Sequence, residues 1–328
     1  MTSRVVVFAP NWLGDVVMAL PAIADLCRAR PEATIDIAAR PSIAPLVSLI
    51  PGVGRALVLG DRRASVDAVK AGAYDEALLL PNSFNVAWIA RRAGVPERWG
   101  YRNQFRSVLL TRACSPPSRV HQVEYYQRLT SALGFAPGPM VPRLSLPSEL
   151  GVRGAALLAD RGWDRHSPLV AVAPGAAFGS AKRWPAERFA ATIDALARDG
   201  VRSVVIGAPA DAVASRDVIG LLHSALPPID LVGATDLPLL AAVLAQTRAL
   251  VTNDSGAMHV AAALAINVTA IFGPTNERET HPLGSGRRSV VHAATWCRPC
   301  MLRECPLTHR CMTGVSVDTV VADMRANL

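Results

Sequence analysis

Short runs of β-branched and other apolar residues alternate along the chain with segments rich in alanine and leucine. In the first half these runs predict strands at Arg4–Ala9, Thr34–Ala38, Arg55–Leu59 and Tyr74–Leu80. In the second half they predict strands at Leu169–Ala173, Ser203–Gly207, Asp230–Val232, Ala249–Thr252, Val268–Phe272 and Ser289–His292. Strands that alternate with helices in this way are typical of parallel sheets in α/β domains.

Prolines mark a break between the two halves. They are Pro137, Pro139, Pro142 and Pro147. Ser148–Arg161 then predicts a connecting helix. A chain of 328 residues is long enough for two domains, each with its own core. We therefore expect an N-terminal domain over residues 1–147 and a C-terminal domain over residues 148–328, both α/β, with a cleft between them.

The composition is that of a globular protein, with 51% hydrophobic and 18% charged residues. No apolar run reaches the roughly 18 residues of a membrane span, because Asp15 interrupts the N-terminal run. The N-terminus also lacks a convincing signal peptide, since one arginine precedes a run that ends in an acid. We therefore expect a cytoplasmic protein.

The net charge is +8, and one segment is strongly basic. It contains seven arginines against a single acid, Glu97. The arginines are Arg91, Arg92, Arg98, Arg102, Arg106, Arg112 and Arg119. Two interpretations stay open, a solvated basic face or a surface for an anionic partner. Nucleic acid is not favoured as that partner, because zinc-finger, RNA-recognition and basic-zipper patterns are missing and few aromatic residues accompany the arginines.

Four of the six cysteines lie close together in the sequence. Cys297, Cys300, Cys305 and Cys311 are spaced C-x2-C-x4-C-x5-C, whereas Cys27 and Cys114 are isolated. In a cytosolic chain such a cluster favours a metal over disulfides, and thiolate ligands favour structural Zn or Fe. Unligated thiols and disulfides are the alternatives. Two prolines and the lack of apolar periodicity predict a loop that needs something to fix its shape.

Three loops follow predicted strands, at the carboxyl ends where α/β folds place ligands. The first loop, Pro10–Ile23, reads PNWLGDVVMALPAI. A dinucleotide-binding turn needs G-x-G-x-x-G, and this loop has only Gly14, so an NAD-dependent oxidoreductase is disfavoured. Asp15 in this loop has two interpretations, a helix N-cap or a catalytic base.

The second loop, Pro174–Ala190, reads PGAAFGSAKRWPAERFA. Gly175 and Gly179 let the backbone approach a ligand, and Lys182 offers a point charge. The loop lacks the spacing of a P-loop but still indicates a phosphate contact. The alternative is a flexible surface loop that leads into a helix over Ala186–Arg198.

The third loop, Thr252–Leu264, reads TNDSGAMHVAAAL. In one interpretation Asp254 or Ser255 simply caps the helix that follows. In the other, the helix N-terminus receives an anion, with His259 on the same face as Gly256 and Ser255. The neighbouring Lys182 favours the second interpretation, a diphosphate site.

Together these segments resemble the ADP-heptose:lipopolysaccharide heptosyltransferases, most closely heptosyltransferase II. The resemblance spans nearly the whole chain, in the family's order. The matching motifs are NWLGDVVM (Asn11–Met18), LPNSF (Leu80–Phe84), the GY-x4-R-x2-LL run (Gly100–Leu110), PGAAFGSAKRWP (Pro174–Pro185), TNDSGAMHVAAAL (Thr252–Leu264) and FGPT (Phe272–Thr275).

The resemblance implies the GT-B architecture, in which two Rossmann-like parallel-sheet domains face a central cleft. It implies inverting transfer of L-glycero-D-manno-heptose from ADP-heptose onto the first heptose of the lipopolysaccharide inner core, without a cofactor for catalysis. The implied acceptor is heptosylated Kdo-lipid A, met at the inner face of the cytoplasmic membrane. The basic segment would suit that acceptor and a peripheral attachment to the membrane.

Carried over residue by residue, the resemblance makes Asp15 the general base. The implied donor-binding residues are Gly175, Lys182, Asp211, Asp254, Ser255, Gly256 and His259. The implied acceptor-binding residues are Asn82, Ser83, Arg102 and Arg106. Ala177 departs from the family pattern, which often has an acidic or hydroxyl residue there. The four-cysteine loop is also absent from some members.

Three alternatives keep parts of this interpretation. One is a heptosyltransferase with another acceptor, either a different core position or a protein. A nucleotide-sugar epimerase of the same fold would consume donor without an acceptor. A non-catalytic nucleotide-sugar-binding module is disfavoured by Asp15, because a sensor has no use for a base.

Overall fold

The computed structural model describes residues 3–103 and 105–328. The chain divides into two compact units, Met1–Ser145 and Leu146–Leu328. Each unit contains one six-stranded sheet. Within the described ranges, no helix combines the length and apolar character needed to cross a membrane.

The first unit holds strands β1 to β6 and helices α1 to α4. The strands are β1 Arg4–Phe8, β2 Thr34–Ala39, β3 Ala56–Val58, β4 Glu76–Leu79, β5 Glu97–Tyr101 and β6 Arg112–Cys114. The helices are α1 Leu13–Ala29, α2 Arg62–Ala71, α3 Phe84–Arg92 and α4 Gln122–Ala132. Neighbouring strands are parallel, in the order β3-β2-β1-β4-β5-β6. The register places Val7 opposite Ile37 on β2 and Leu78 on β4.

The second unit repeats this plan with strands β7 to β12. They are β7 Leu169–Ala173, β8 Arg202–Val205, β9 Ile229–Asp230, β10 Ala249–Asn253, β11 Asn267–Phe272 and β12 Arg288–His292. The helices are α5 Ser148–Asp160, α6 Ala186–Arg198, α7 Ala212–Gly220, α8 Leu237–Leu244, α9 Gly256–Ala263, α10 Glu277–Thr280, α11 Arg310–Thr313 and α12 Val317–Arg325. This sheet is also parallel, in the order β12-β11-β10-β7-β8-β9.

Both sheets have the same strand order when each is counted from its own first strand: third, second, first, fourth, fifth, sixth. In such a sheet the order reverses between the first and fourth strands, which leaves a crevice at their carboxyl ends. The reversal lies between β1 and β4 in the first unit and between β7 and β10 in the second. The loops after these four strands are therefore where each unit is expected to hold a ligand.

The apolar runs form the core of each unit. Val5, Val6, Val7 and Phe8 of β1 have no solvent exposure. Because successive residues of a strand point to opposite faces, both faces of β1 are buried. This explains why the strands read as continuous apolar runs without alternation.

The ten strands expected from the sequence are confirmed, each within two residues of its expected bounds, and helix α6 has the expected bounds. Strands β5 and β6 are missing from the sequence-based assignment. Their charged residues, Glu97, Arg98 and Arg112, interrupt the apolar pattern. Both strands lie at the outer end of the first sheet, where β6 pairs on one side only.

Candidate active site

The reversal points of both sheets carry polar residues that the sequence singles out. Asp15 follows β1 and Asn82 follows β4 in the first unit. Lys182 follows β7 and Asp254 follows β10 in the second. Because the carboxyl ends of neighbouring parallel strands meet at one edge, each sheet brings its own pair of loops together.

Asp15 is the third residue of α1 and is half-buried. The N-cap position belongs to Trp12, whose side chain makes no capping hydrogen bond. The N-cap interpretation of Asp15 is therefore wrong, although an acid in the first turn still interacts favourably with the helix dipole. Burial, and then the nearby charge of Asp15, raise the pKa of the Tyr126 hydroxyl. The carboxylate thus lies at the start of α1, close to a buried phenol of α4.

Arg106 is fully buried next to the loop that follows β4. Its Nε donates to the Tyr101 carbonyl oxygen at 2.8 Å, Nη1 donates to the carbonyls of Pro81 and Ser83, and Nη2 donates to Asn82 Oδ1 at 3.4 Å. All of these acceptors are neutral. Desolvation lowers the pKa of Arg106 to about 10, so the guanidinium stays charged at neutral pH.

This burial changes the role expected for Arg106. A side chain with 0% exposure, whose donors are engaged by protein oxygens, has no surface to offer an acceptor. The expectation that Arg106 contacts the acceptor directly is therefore wrong, and the side chain instead holds the Pro81–Ser83 loop. Gly100 leaves room for it, since a Cβ there would lie 2.9 Å from Arg106 Nη2 and 3.2 Å from the Leu79 carbonyl oxygen.

Three other residues remain candidates for acceptor binding at this reversal point. Asn82 is half-buried, and its Nδ2 donates to the Tyr125 hydroxyl at 2.7 Å. Ser83 caps α3, with its Oγ accepting from the Val86 amide at 3.4 Å. Arg102 directly follows β5 and is exposed. Their contact with an acceptor stays a prediction.

The basic segment divides into internal and exposed arginines. Arg98 Nε donates to the Leu109 carbonyl oxygen at 2.7 Å, so this side chain, like that of Arg106, binds backbone carbonyls within the unit. The exposed members are Arg91, Arg92, Arg102, Arg112 and Arg119. These five leave the interpretation as a surface for an anionic partner open.

Lys182 forms a close ion pair with Asp254 in the second unit. Its Nζ lies 2.5 Å from Asp254 Oδ2, and the two side chains are only 13% and 7% exposed. Thr275 Oγ1 donates to the same carboxylate oxygen at 2.6 Å. Lys182 Nζ also lies 4.8 Å from the ring centroid of Phe178, within cation–π range. The loops after β7, β10 and β11 therefore converge on one carboxylate with a cation beside it.

Gly175 and Asp211 also come together in this unit. A Cβ on Gly175 would lie 2.1 Å from Asp211 Oδ1, so a larger residue would displace the Asp211 side chain. Asp211 Oδ2 accepts from the Ala208 amide at 2.9 Å, which fixes the turn after β8. Asp211 is thus placed against the predicted donor loop, and its contact with a ribose stays a prediction.

Helix α9 begins at Gly256, with Ser255 at the N-cap position. Ser255 makes no side-chain capping bond, and its Oγ lies 3.0 Å from Thr252 Oγ1 instead. His259 lies on this helix and is 5% exposed. Ser255 therefore occupies the N-cap position, as one interpretation of this turn expects, but its side chain does not cap the helix. Donor binding by Ser255, Gly256 and His259 stays a prediction.

Comparison with known families identifies the fold and the chemistry. The model of glycosyltransferase family 9 (heptosyltransferase) matches residues 62–310, more than half of the chain. The chain belongs to glycosyltransferase family 9. The matched range includes the loop after β4 and the three loops that meet at Lys182, whereas Asp15 lies before it.

Individual relatives within family 9 match over most of their length. The chain is 32% identical over 309 residues to lipopolysaccharide heptosyltransferase 2 of Salmonella typhimurium, covering 88% of this chain and 87% of the relative. It is 30% identical over 299 residues to lipooligosaccharide heptosyltransferase 2 of Haemophilus ducreyi, covering 85% and 86%. The solved structure of Escherichia coli ADP-heptose LPS heptosyltransferase II superposes with a TM-score of 0.87 at 29% identity, covering 99% of this chain and 98% of that one.

This family 9 member is therefore a glycosyltransferase of GT-B architecture. Its two parallel six-stranded sheets match those of a heptosyltransferase over nearly the whole chain. The fold class, the family and the enzyme class expected from the sequence are confirmed.

Sequence reasoning alone assigns no role to two residues that build this family 9 site, Asn253 and Thr275. Asn253, at the end of β10, has 0% exposure. Its Nδ2 donates to the Pro174 carbonyl oxygen at 2.8 Å, and its Oδ1 accepts from the Trp184 amide at 2.9 Å. Asn253 thus ties both ends of the Lys182 loop (residues 174–185) to β10, as Thr275 holds Asp254. The sequence signal that could have identified Asn253 is its place at the end of a buried strand, because a buried polar side chain needs hydrogen-bond partners.

The four clustered cysteines line a single cavity of about 250 Å³. They belong to the four-cysteine loop (residues 294–311), which runs from β12 into α11, and all four are free thiols. Burial, and then the three neighbouring cysteines, raise the pKa of the Cys311 thiol. As placed within the described ranges, no three His, Cys, Asp or Glu side chains stand close enough together to hold a metal ion. The metal stays a prediction.

Proposed function

We propose that this enzyme transfers L-glycero-D-manno-heptose from ADP-heptose onto the first heptose of the lipopolysaccharide inner core, the heptosyltransferase II reaction. The relatives from Salmonella typhimurium and Haemophilus ducreyi carry that name. The observation that carries the proposal is the Lys182–Asp254–Thr275 cluster at the reversal point of the second sheet. It puts a partly exposed cation and a fixed carboxylate where a nucleotide sugar would be held.

The donor side of the reaction requires positive charge against a diphosphate. An incoming diphosphate would compete with Asp254 for Lys182 Nζ, while Asp254 keeps its hydrogen bond from Thr275. The freed carboxylate oxygen can then accept hydrogen bonds from sugar hydroxyls. As the bond between the anomeric carbon and ADP breaks, Lys182 offsets the charge that grows on the leaving group. No step of the proposal passes through a metal.

The acceptor side requires a base. The acceptor hydroxyl loses its proton as its oxygen attacks the anomeric carbon from the face opposite ADP, which inverts that carbon. A carboxylate about 3 Å away can take this proton. Asp15 is a half-buried carboxylate at the carboxyl end of β1, which supports its role as that base.

The acceptor is an amphipathic, anionic lipid, and the first unit offers a surface of matching chemistry. Large apolar side chains are exposed in, or directly after, the loops that follow β1, β4 and β5. They are Trp12, Phe84, Phe105 and Val108, exposed by 55%, 43%, 96% and 78%. The exposed arginines of the basic segment belong to the same half of the chain. Exposed apolar side chains and exposed cations in the same unit favour an interface with anionic lipid, so we propose peripheral binding at the inner face of the cytoplasmic membrane.

The transfer proposal is tested by incubating the protein with ADP-heptose and Kdo-lipid A acceptors that carry no heptose or one heptose. Mass spectrometry should show the mass of one added heptose on the singly heptosylated acceptor alone. Addition to the unsubstituted acceptor would indicate a first-heptose enzyme. Consumption of ADP-heptose without any glycosylated product would indicate an epimerase or a hydrolase.

The membrane proposal is tested by sedimentation with vesicles that contain anionic lipid. The double variant Phe105→Ser/Val108→Ser should lose vesicle binding without unfolding, because surface substitutions usually change stability by less than about 0.5 kcal/mol. Val152→Ser is the matched control, since Val152 is 69% exposed on α5 in the other unit. Equal vesicle binding by the double variant and the control would contradict this surface.

A further inference from the structure

The four-cysteine loop has little apolar packing of its own. Four of its large apolar side chains are exposed: Trp296, Met301, Leu302 and Leu307, by 86%, 51%, 45% and 58%. Only its last residues join α11, where Cys311 and Met312 are buried. A segment that buries so little apolar surface needs another source of order, such as a metal.

The same loop is bonded to the loop that carries Lys182. The Ala181 amide donates to the Arg303 carbonyl oxygen at 3.0 Å, and the Ala181 carbonyl oxygen lies 2.7 Å from His309 Nε2. Both polar atoms of the residue next to Lys182 therefore depend on the four-cysteine loop. The packing is also tight, since a Cβ on Gly179 would lie 2.3 Å from the Arg303 carbonyl oxygen.

The loop after β11, which supplies Thr275, is held from the same side. Arg298 Nε donates to the Gly273 carbonyl oxygen at 2.5 Å, and its Nη2 lies 2.9 Å from Glu277 Oε2. The Met301 amide donates to the Pro274 carbonyl oxygen at 2.9 Å. Two of the three loops that meet at Asp254 are thus fixed through the four-cysteine loop.

We propose that Cys297, Cys300, Cys305 and Cys311 bind one thiophilic ion, Zn²⁺ or iron, and that this ion holds the Lys182 loop in its ADP-binding form. Four thiolates in a short loop are a typical tetrahedral donor set for these ions. The thiols around the cavity must move inward and release their protons when the ion binds, as for most sites that form together with their metal. The nucleotide side of this proposal rests on the proposed function.

The test measures bound metal and ADP affinity on the same samples. Protein purified without a metal-binding tag should contain about one equivalent of Zn or Fe by elemental analysis, and an iron form would show a visible thiolate-to-iron absorption band. The Cys300→Ser/Cys305→Ser variant should lose the metal and bind ADP about 2- to 30-fold more weakly, the range for coupling between packed neighbouring elements. Cys27→Ser, at an isolated thiol in the first unit, should retain both properties.

Two further samples keep the test decisive if the double variant does not fold. Wild-type protein stripped by a chelator should lose ADP affinity and regain it when Zn²⁺ or ferrous iron is added back. His309→Ala, which removes the ring bonded to Ala181 and leaves all four cysteines, should keep the metal and bind ADP more weakly. Wild-type protein that is purified without metal and binds ADP normally would contradict the proposal that the cysteines bind an ion. Protein that contains the metal but keeps its ADP affinity after stripping would contradict the coupling between the ion and the Lys182 loop. Heptose transfer by the wild-type enzyme is assayed separately, so failure of the proposed function is distinguishable.

Discussion

The reversal points of the two sheets each contain a mostly buried cation, and the two cations are held in different ways. Arg106 in the first unit has 0% exposure, and its donors are engaged by neutral oxygens of the Pro81–Ser83 loop and of Tyr101. Lys182 in the second unit is 13% exposed and pairs with a single carboxylate, that of Asp254. The strand order around them is the same.

This difference separates a cation that builds a loop from one that can meet a ligand. The planar fork of arginine satisfies several carbonyls at fixed angles, which suits a permanent position. An ammonium on a flexible stem can change partners when a stronger anion arrives. In the first unit the group at the sheet edge that we propose for chemistry is instead the carboxylate of Asp15. In the second unit it is the cation.

The largest effect is expected at Asp15, the carboxylate at the reversal point of the first sheet. Asp15→Asn keeps the shape but removes the proton acceptor, so turnover should fall about 10²- to 10⁴-fold with little change in the affinity for ADP-heptose. Steady-state transfer assays and calorimetry with donor check this. Because Asp15 is not the N-cap of α1, only a small loss of helix-dipole stabilisation is expected. A well-folded variant that retains more than about a tenth of the parent rate would contradict the base assignment.

Lys182→Ala should weaken ADP binding by about 1.5–3 kcal/mol, the usual worth of a charge-assisted contact to phosphate. Lys182→Arg should recover only part of this, because the guanidinium is larger than an ammonium. Calorimetry with ADP measures both variants. Lys70, exposed on α2 in the first unit, is the other lysine of the chain, and Lys70→Ala is the control. An unchanged ADP affinity in Lys182→Ala would place the diphosphate elsewhere.

Arg106→Lys should lower the free energy of unfolding by about 1–3 kcal/mol, because an ammonium cannot serve all the carbonyls of the loop and leaves buried acceptors unpaired. The distorted loop should slow transfer while ADP affinity is retained. Arg102→Lys, at an exposed site four residues away, should stay within about 0.5 kcal/mol of the parent. Denaturant unfolding measures the free energy of unfolding of both variants. Equal values would show that the buried guanidinium of Arg106 is not needed for stability.

The smallest effect is expected at Thr275. Thr275→Val removes the hydrogen bond to Asp254 without changing the size of the side chain, so the affinity for ADP-heptose should fall by about 0.5–1.5 kcal/mol. Thr275→Ser keeps the hydroxyl and should restore most of this affinity. Titration calorimetry decides, and a Thr275→Val protein that binds donor as tightly as the parent would mean that Lys182 alone positions the carboxylate.

The sequence predicts the central strands and the reversal-point loops because burial on both faces leaves a readable apolar run. It does not predict β5, whose Glu97 and Arg98 interrupt such a run. It also assigns Arg106 to the surface, since a charged residue is ordinarily exposed. Only the folded chain brings the carbonyls of residues distant in sequence to that guanidinium, as it brings Asn253 to both ends of the Lys182 loop.

The close approach of Gly100 to Arg106 has a consequence for how such chains can change over time. A side chain at position 100 would collide with a guanidinium that is already bonded to its neighbours and cannot swing away. Neither position is therefore free to mutate first: a larger residue at 100 meets the arginine and still lies close to the Leu79 carbonyl oxygen once the arginine is shortened, and a shortened residue at 106 leaves the loop unsupported. Substitutions at these two sites should be strongly epistatic, so a library that varies both together would recover active pairs that single-site scans score as lost.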